Sequence, residues 1–158
     1  MSGLFPPEDS EDTIYFSRYN PNELLGSYAP LSFLLEETVW PTVEHYVQAM
    51  QYENLNEQER VRNLPTPDAA HREAKGRWFK KKRKGWDKLR SVYLTRGYYT
   101  QCQTYPQVAA RLLETGERRL VENDQYDYYW GCGRDRRGTN MYGQVLMQVR
   151  SKLREVDS

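Results

Sequence analysis

The 158 residues carry 23 lysines and arginines against 22 aspartates and glutamates, a formal net charge of +1. Such a length suits one domain with a real core. The balanced charge supplies no general field for a polyanion, no apolar run approaches a membrane span, and two isolated cysteines, Cys102 and Cys132, exclude a disulfide framework or a cysteine zinc site.

With 38% hydrophobic residues and a mean hydropathy of −0.94, the core must lean on thirteen tyrosines and four tryptophans. Their polar edges need partners when buried. Residues 1–12 hold Glu8, Asp9, Glu11 and Asp12 among prolines and read as a disordered acidic arm. They lack the basic-then-apolar pattern of a signal peptide, so a cytoplasmic protein is expected. The domain then runs over residues 13–155. Thr13-Ile14-Tyr15-Phe16 reads as a short strand, and Asn20-Pro21-Asn22 and Gly26 punctuate the loop after it. A helix is expected from near Pro41 to about Tyr52, with Val43, Val47 and Met50 as its buried stripe. Further helices are expected at about 57–63, 67–76, 86–103 and 106–115, separated by Pro65, Pro67 and Pro106 and stopped by Gly116. Arg119–Glu122 can form a second strand. The last helix is expected to begin at Asn140, a good N-cap residue, with Val145 (or Leu146), Val149 and Leu153 on its core face.

Glu44 falls in a first helical turn, where the partial positive charge of the helix N-terminus favours the ionised carboxylate. It suits a base or an electrostatic stabiliser better than a proton donor. Gln48 and Gln51 follow at four and seven residues, so all three share one polar stripe and form a plausible cleft wall. Asp127 precedes Tyr128, Tyr129, Trp130 and a glycine-rich turn at Gly131 and Gly133. Such a turn lets backbone amides approach a ligand, the next helix N-terminus can receive a phosphate, and Arg134, Arg136 and Arg137 can pair with its oxygens. Six of the eight residues from Arg77 to Lys84 are basic, with Trp78 and Phe79 between them. That run can hold phosphates and stack a base, although a solvated face is the commoner use of such a run. Trp86 leads an apolar stripe with Leu89, Tyr93 and Gly97 and is either core or pocket. His45 and His71 have no partners at metal-ligand spacing, and neither cysteine has the setting of a nucleophile.

The order Trp40-Pro41-Thr42-Val43-Glu44-His45-Tyr46 with Gln48-Ala49, then Lys84-Gly85-Trp86, then Asp127-x-x-Trp130-Gly131-x-Gly133 with Gly138-Thr139-Asn140 resembles the NADAR/YbiA-like family of N-glycosidases over roughly residues 13–154. The resemblance implies a mainly α, single-domain orthogonal helical bundle with a small β element. It implies hydrolysis of an N-ribosyl bond, either in a riboflavin-pathway ribosylamino-pyrimidine phosphate or in a related ADP-ribosylated base. Glu44 and Asp127 would be the charged catalytic pair, Trp86 and Trp130 would hold the base, and Gln48, His45, Gly131 and Asn140 would complete the substrate site. No metal or cofactor is implied, and the partner is a small ribosyl-phosphate or an ADP-ribosylated nucleic acid, not a membrane. Two departures stand out. Where many members read Q-A-x-K, this chain has Gln51, and a Ser-Asn-Phe element has become Gly26-Ser27-Tyr28. A lysine nucleophile is therefore absent at position 51. Direct attack by water, an altered substrate, or a non-catalytic module that binds ADP-ribose or nucleic acid all remain open.

Overall fold

The computed structural model describes residues 12–77 and 80–157. The acidic arm, apart from Asp12, and the aromatic pair Trp78 and Phe79 lie outside the described residues. In chain order the elements are β1 (Thr13–Phe16), β2 (Phe33–Leu35), β3 (Thr38–Trp40), α1 (Val43–Met50), α2 (Leu55–Arg62), α3 (Pro67–Gly76), α4 (Trp86–Thr104), α5 (Pro106–Glu114), β4 (Arg119–Glu122) and α6 (Met141–Asp157). The protein is mainly α with a small β element, and its helix boundaries fall within about two residues of the expected ones.

Helix α1 is the centre of the molecule. Thr42 caps it by accepting the His45 N–H, and seven of its eight residues are buried. It packs against α2, α3 and α4, and α4 in turn packs against α6. The close approach of α1 and α4 depends on Gly97, where a Cβ would lie 2.9 Å from the Tyr46 ring. Tyr142, Val145, Leu146, Val149 and Leu153 of α6 complete the core; each fully buried apolar side chain of this size contributes about 1.5–3 kcal/mol. The buried tyrosines find the partners their hydroxyls require. Tyr98 donates to the Leu24 carbonyl at 3.0 Å and Tyr142 to that of Leu25 at 2.9 Å.

Strands β1 and β4 pair in parallel, from Thr13↔Arg119 to Phe16↔Glu122. The antiparallel hairpin of β2 and β3 was not expected from sequence. Its two-residue turn is Glu36-Glu37, with φ of 57° and 64°. Both residues occupy the left-handed region that such turns require and that Asn-Gly normally announces, so two glutamates hide the signal. Asn140 also departs from its expected role. It sits at φ 52° and does not cap α6 from an extended conformation. Its side-chain oxygen accepts the Glu122 N–H and its amide donates to the Leu120 carbonyl, both at 2.9 Å, latching the helix start onto β4. Among the described residues no helix is long and apolar enough to cross a membrane.

Candidate active site

The parallel register places Phe16 beside Glu122, so the segments leaving β1 and β4 run together. Arg18, two residues past the first strand, donates its N–H to Glu122 Oε2 at 2.5 Å. Its side chain is only 4% exposed, and Nη2 lies 3.0 Å from Asp127 Oδ2 and 3.8 Å from Asp124 Oδ2. The same nitrogen donates to Tyr19 Oη at 2.7 Å, and the Tyr19 hydroxyl donates to Asp124 Oδ2 at 2.5 Å. Burial would lower the Arg18 pKa, but Glu44, Tyr19 and Asp127 together hold it above its ordinary value. The guanidinium stays charged.

Glu44 approaches this cluster from α1. The residue is 5% exposed. Oε1 accepts the Ser27 hydroxyl at 2.6 Å, and Oε2 accepts the Gln48 amide at 2.7 Å and faces His71 Nδ1 at 3.2 Å. Burial pushes its carboxyl upward. The His71 hydrogen bond, the charge of Arg18 and the Ser27 hydroxyl outweigh that and hold it at about 2. A buried yet ionised carboxylate results, at the start of a helix whose dipole favours it. Glu44, Asp124 and Asp127 around one guanidinium leave a surplus of negative charge, an arrangement that suits a cationic transition state.

A cavity of about 480 Å³ opens beside these groups, lined by Tyr19, Asp68, His71, Arg72 and Lys75. Its volume suits a small phosphorylated nucleoside-like molecule. Tyr19 meets the rings of His71 and Tyr28 edge-on, each with centroids 5.3 Å apart. Arg72 and Lys75 bring positive charge to its outer wall.

Glu44, Gln48 and Gln51 do form one hydrogen-bonded row, in which Gln51 donates to Gln48 Oε1 at 3.1 Å and Gln48 donates to Glu44. Glu44 and Gln51 are buried, however, and none of the three lines the cavity beside His71, where a cleft wall was expected. Asp127 joins Glu44 at Arg18, although 83 positions separate the two carboxylates in the chain. Its Oδ1 also accepts the Tyr129 and Trp130 amides at 2.9 and 2.8 Å, which shapes the glycine-rich loop. His45 points elsewhere. Its Nε2–H donates to the Leu64 carbonyl at 3.0 Å and its Nδ1 accepts from Thr42 at 2.8 Å, so both ring nitrogens are engaged in the core.

The loop amides are likewise spent within the protein. Cys132 N–H goes to Glu122, Gly133 to Asp124, Gly138 to Cys132 and Asn140 to Gly131, while the first amides of α6 at Met141 and Tyr142 go to Tyr129 and Trp130. A Cβ on Gly131 would lie 2.8 Å from the Asp124 carbonyl. That glycine therefore serves the approach of its own chain, and the α6 terminus is closed by loop carbonyls where an open phosphate seat was expected. Arg134 and Arg136 line, with Tyr15 and Cys132, a 70 Å³ cleft that shares no lining residue with the cavity beside His71. Trp130 packs on Tyr129 and Tyr142, with the Arg90 guanidinium 3.3 Å from the Tyr129 ring centre. Trp86, half-buried on Tyr93, lines a separate cleft of about 540 Å³ with Lys82, Arg83 and Lys84. Neither tryptophan lines the cavity beside His71. In the basic run, Arg77 and Lys80 pair with Glu57 at 3.1 and 3.5 Å, and Arg83 is bound to the Met50 carbonyl. Only part of that run is left to meet phosphates. Among the described residues no cluster of three or more His, Cys, Asp or Glu side chains is arranged to hold a metal ion.

Sequence reasoning missed Arg18, Tyr19 and His71. The one signal for this side of the site was the Gly26-Ser27-Tyr28 segment. It supplies the Ser27 hydroxyl to Glu44 and the Tyr28 hydroxyl to Asp68 at 3.2 Å.

Comparison with known proteins places the chain in a family. The NADAR domain family model matches residues 4–154. An N-glycosidase of Nostoc punctiforme is 31% identical over 149 residues, covering 91% of this chain and 94% of that protein. The Escherichia coli N-glycosidase YbiA is 29% identical over 145 residues, 90% of each chain. The NMR structure of E. coli YbiA aligns at a TM-score of 0.82, with 28% identity, over 94% of this chain and 89% of that one. A riboflavin biosynthesis protein of Vibrio vulnificus is 34% identical over 152 residues, 92% of this chain but 40% of its own length.

Proposed function

As the chain belongs to the NADAR domain family, we propose that it is an N-glycosidase that hydrolyses an N-ribosyl bond without a metal. Its substrate is a ribosylamino-pyrimidine phosphate of the riboflavin pathway or a related ADP-ribosylated base. The observation that carries this reading is the Glu44 carboxylate, buried and yet held ionised by Ser27, Gln48, His71 and Arg18. Cleavage of an N-ribosyl bond develops positive charge on the sugar, and a fixed anion in a low-dielectric setting stabilises that charge more than it stabilises the neutral ground state. Asp127 supplies the second negative charge and, through Oδ2, fixes Arg18 between the two carboxylates. Tyr19 offers a ring face at the cavity, and Arg72 and Lys75 suit the phosphate end.

The buried Gln51, committed to Gln48, carries no amine that can attack an opened sugar. We therefore take water as the nucleophile in this chain. The names of the Nostoc and E. coli relatives support the bond class, and that of the Vibrio relative supports a setting in riboflavin biosynthesis. Chromatographic detection of free base tests the reading, using a ribosylamino-pyrimidine phosphate and DNA carrying ADP-ribosylated guanine as separate probes. Release from one of them is the expected result. Tight binding of both with no release would instead identify a binding module.

A further inference from the structure

We propose that His71 is the proton-transfer residue of this site, taking a proton from the attacking water through Nε2. The inference rests on the N-glycosidase reading and adds to it a residue that neither the sequence motifs nor the family match singles out. Three observations converge on it. First, the ring has a fixed orientation: Nδ1 lies 3.2 Å from Glu44 Oε2. An ionised carboxylate only accepts, so Nδ1 carries a hydrogen, and Nε2 of the neutral ring is left with its lone pair. Second, the ring lines the 480 Å³ cavity and its side chain is 21% exposed. Third, the other groups facing it are committed or cationic.

On α3, Asp68 accepts the Tyr28 hydroxyl at 3.2 Å and Arg72 at 2.8 Å, and Lys75 lines the same cavity with an ammonium group. From the loop after β1, Tyr19 donates to Asp124 and receives Arg18, and burial keeps the Tyr19 and Tyr28 phenols protonated. From α1, Glu44 already accepts three donors. Arg18 and, beyond it, Asp124 and Asp127 complete the charged surroundings. The contrast with His45 is instructive, since both of its ring nitrogens are bound in the core.

The step balances within the site. The C1′–N bond breaks and its electron pair goes to the departing nitrogen. The water oxygen bonds to C1′ as its proton passes to His71 Nε2, and Glu44 stabilises the imidazolium that forms. The same proton then moves to the departing base, which leaves neutral. A carboxylate behind the ring is what keeps the reactive nitrogen bare and oriented, and positioned bases of this kind contribute about 10²- to 10⁴-fold to rate.

His71→Asn tests the role, because its side-chain amide can take the place of Nδ1–H on Glu44 while removing Nε2. With a ribosylamino-pyrimidine phosphate or ADP-ribosylated DNA, whichever the wild type cleaves, kcat should fall by about 10²- to 10⁴-fold. KM should change little, and one limb of the pH profile should disappear. His71→Ala should regain part of its turnover on addition of free imidazole, a rescue that a purely structural role would not give. Wild-type kcat in His71→Asn, or no imidazole rescue of a folded His71→Ala, would overturn the proposal and leave the N-glycosidase reading intact. Nitrogen NMR of the free wild-type protein gives an independent check on the ring. The neutral form of the ring should carry its hydrogen on Nδ1 and leave Nε2 bare; the opposite tautomer would overturn the proposal without touching the activity. Failure of the wild type to release base from either probe would overturn the underlying reading, and this role with it.

Discussion

Glu44→Gln should expose how much the buried anion contributes, because it keeps the shape and removes the charge. The folded protein lowers the Glu44 pKa from 4.5 to about 2, which corresponds to about 3 kcal/mol of stability at neutral pH. The sign follows from the direction. A carboxyl depressed on folding stabilises fully above its unfolded value, and that stability is lost as pH falls from about 4.5 toward 2. In the variant, the new amide must face Ser27, whose hydroxyl can turn to accept it. Facing Gln48 or His71 would set donor against donor. Urea unfolding at pH 7 should therefore show Glu44→Gln less stable by about 3 kcal/mol, a Tm lower by roughly 6–12 °C for a domain of this size. Repeated toward pH 2, the two curves should converge, because only the wild type loses this contribution. In the same variant kcat should drop about 10²- to 10³-fold with little change in KM. Equal stability at pH 7, or acid profiles that run parallel, would refute the electrostatic reasoning.

Arg18→Met should cost about 3–5 kcal/mol in thermal or chemical unfolding, since it leaves Asp127 and Glu44 without the cation between them. Asp127→Asn should lose stability, because its new amide faces the buried Arg18 guanidinium donor against donor, yet keep the loop in place, because the remaining side-chain oxygen can still accept the Tyr129 and Trp130 amides. Its kcat should nevertheless fall more than its KM rises, as measured by steady-state base release. Turnover should persist in a strong chelator, because no cluster of ligands assembles among the described residues. Loss of activity restored by added zinc or magnesium would contradict that expectation.

What sequence made legible was the local chemistry. Prolines and glycines marked the helices, and the spacing of Glu44, Gln48 and Gln51 marked the hydrogen-bonded row that runs along α1 to its C-cap. The hairpin escaped because Glu36 and Glu37 adopt left-handed backbone without a turn residue to signal it. Arg18 and His71 escaped for a different reason. Arg18 meets Asp127 only because β1 and β4 pair in parallel across more than a hundred residues, and His71 reaches Glu44 only because α3 packs on α1. The glycine-rich segment misled in the opposite direction. Its amides suit a ligand by composition, but the loop satisfies them internally at Glu122, Asp124 and Tyr128.

The proposed hydrolysis by water takes place where Glu44, Arg18 and Asp127 converge. Its most direct test is turnover in oxygen-18 water, with mass analysis of both products. A ribosylamino-pyrimidine phosphate, or failing that ADP-ribosylated DNA, should yield free base and a ribosyl product carrying one heavy oxygen from solvent. Glu44→Gln should give neither at a comparable rate. Intact substrate recovered from a tightly bound complex, or release of base by a wild type and a Glu44→Gln variant at equal rates, would contradict the account.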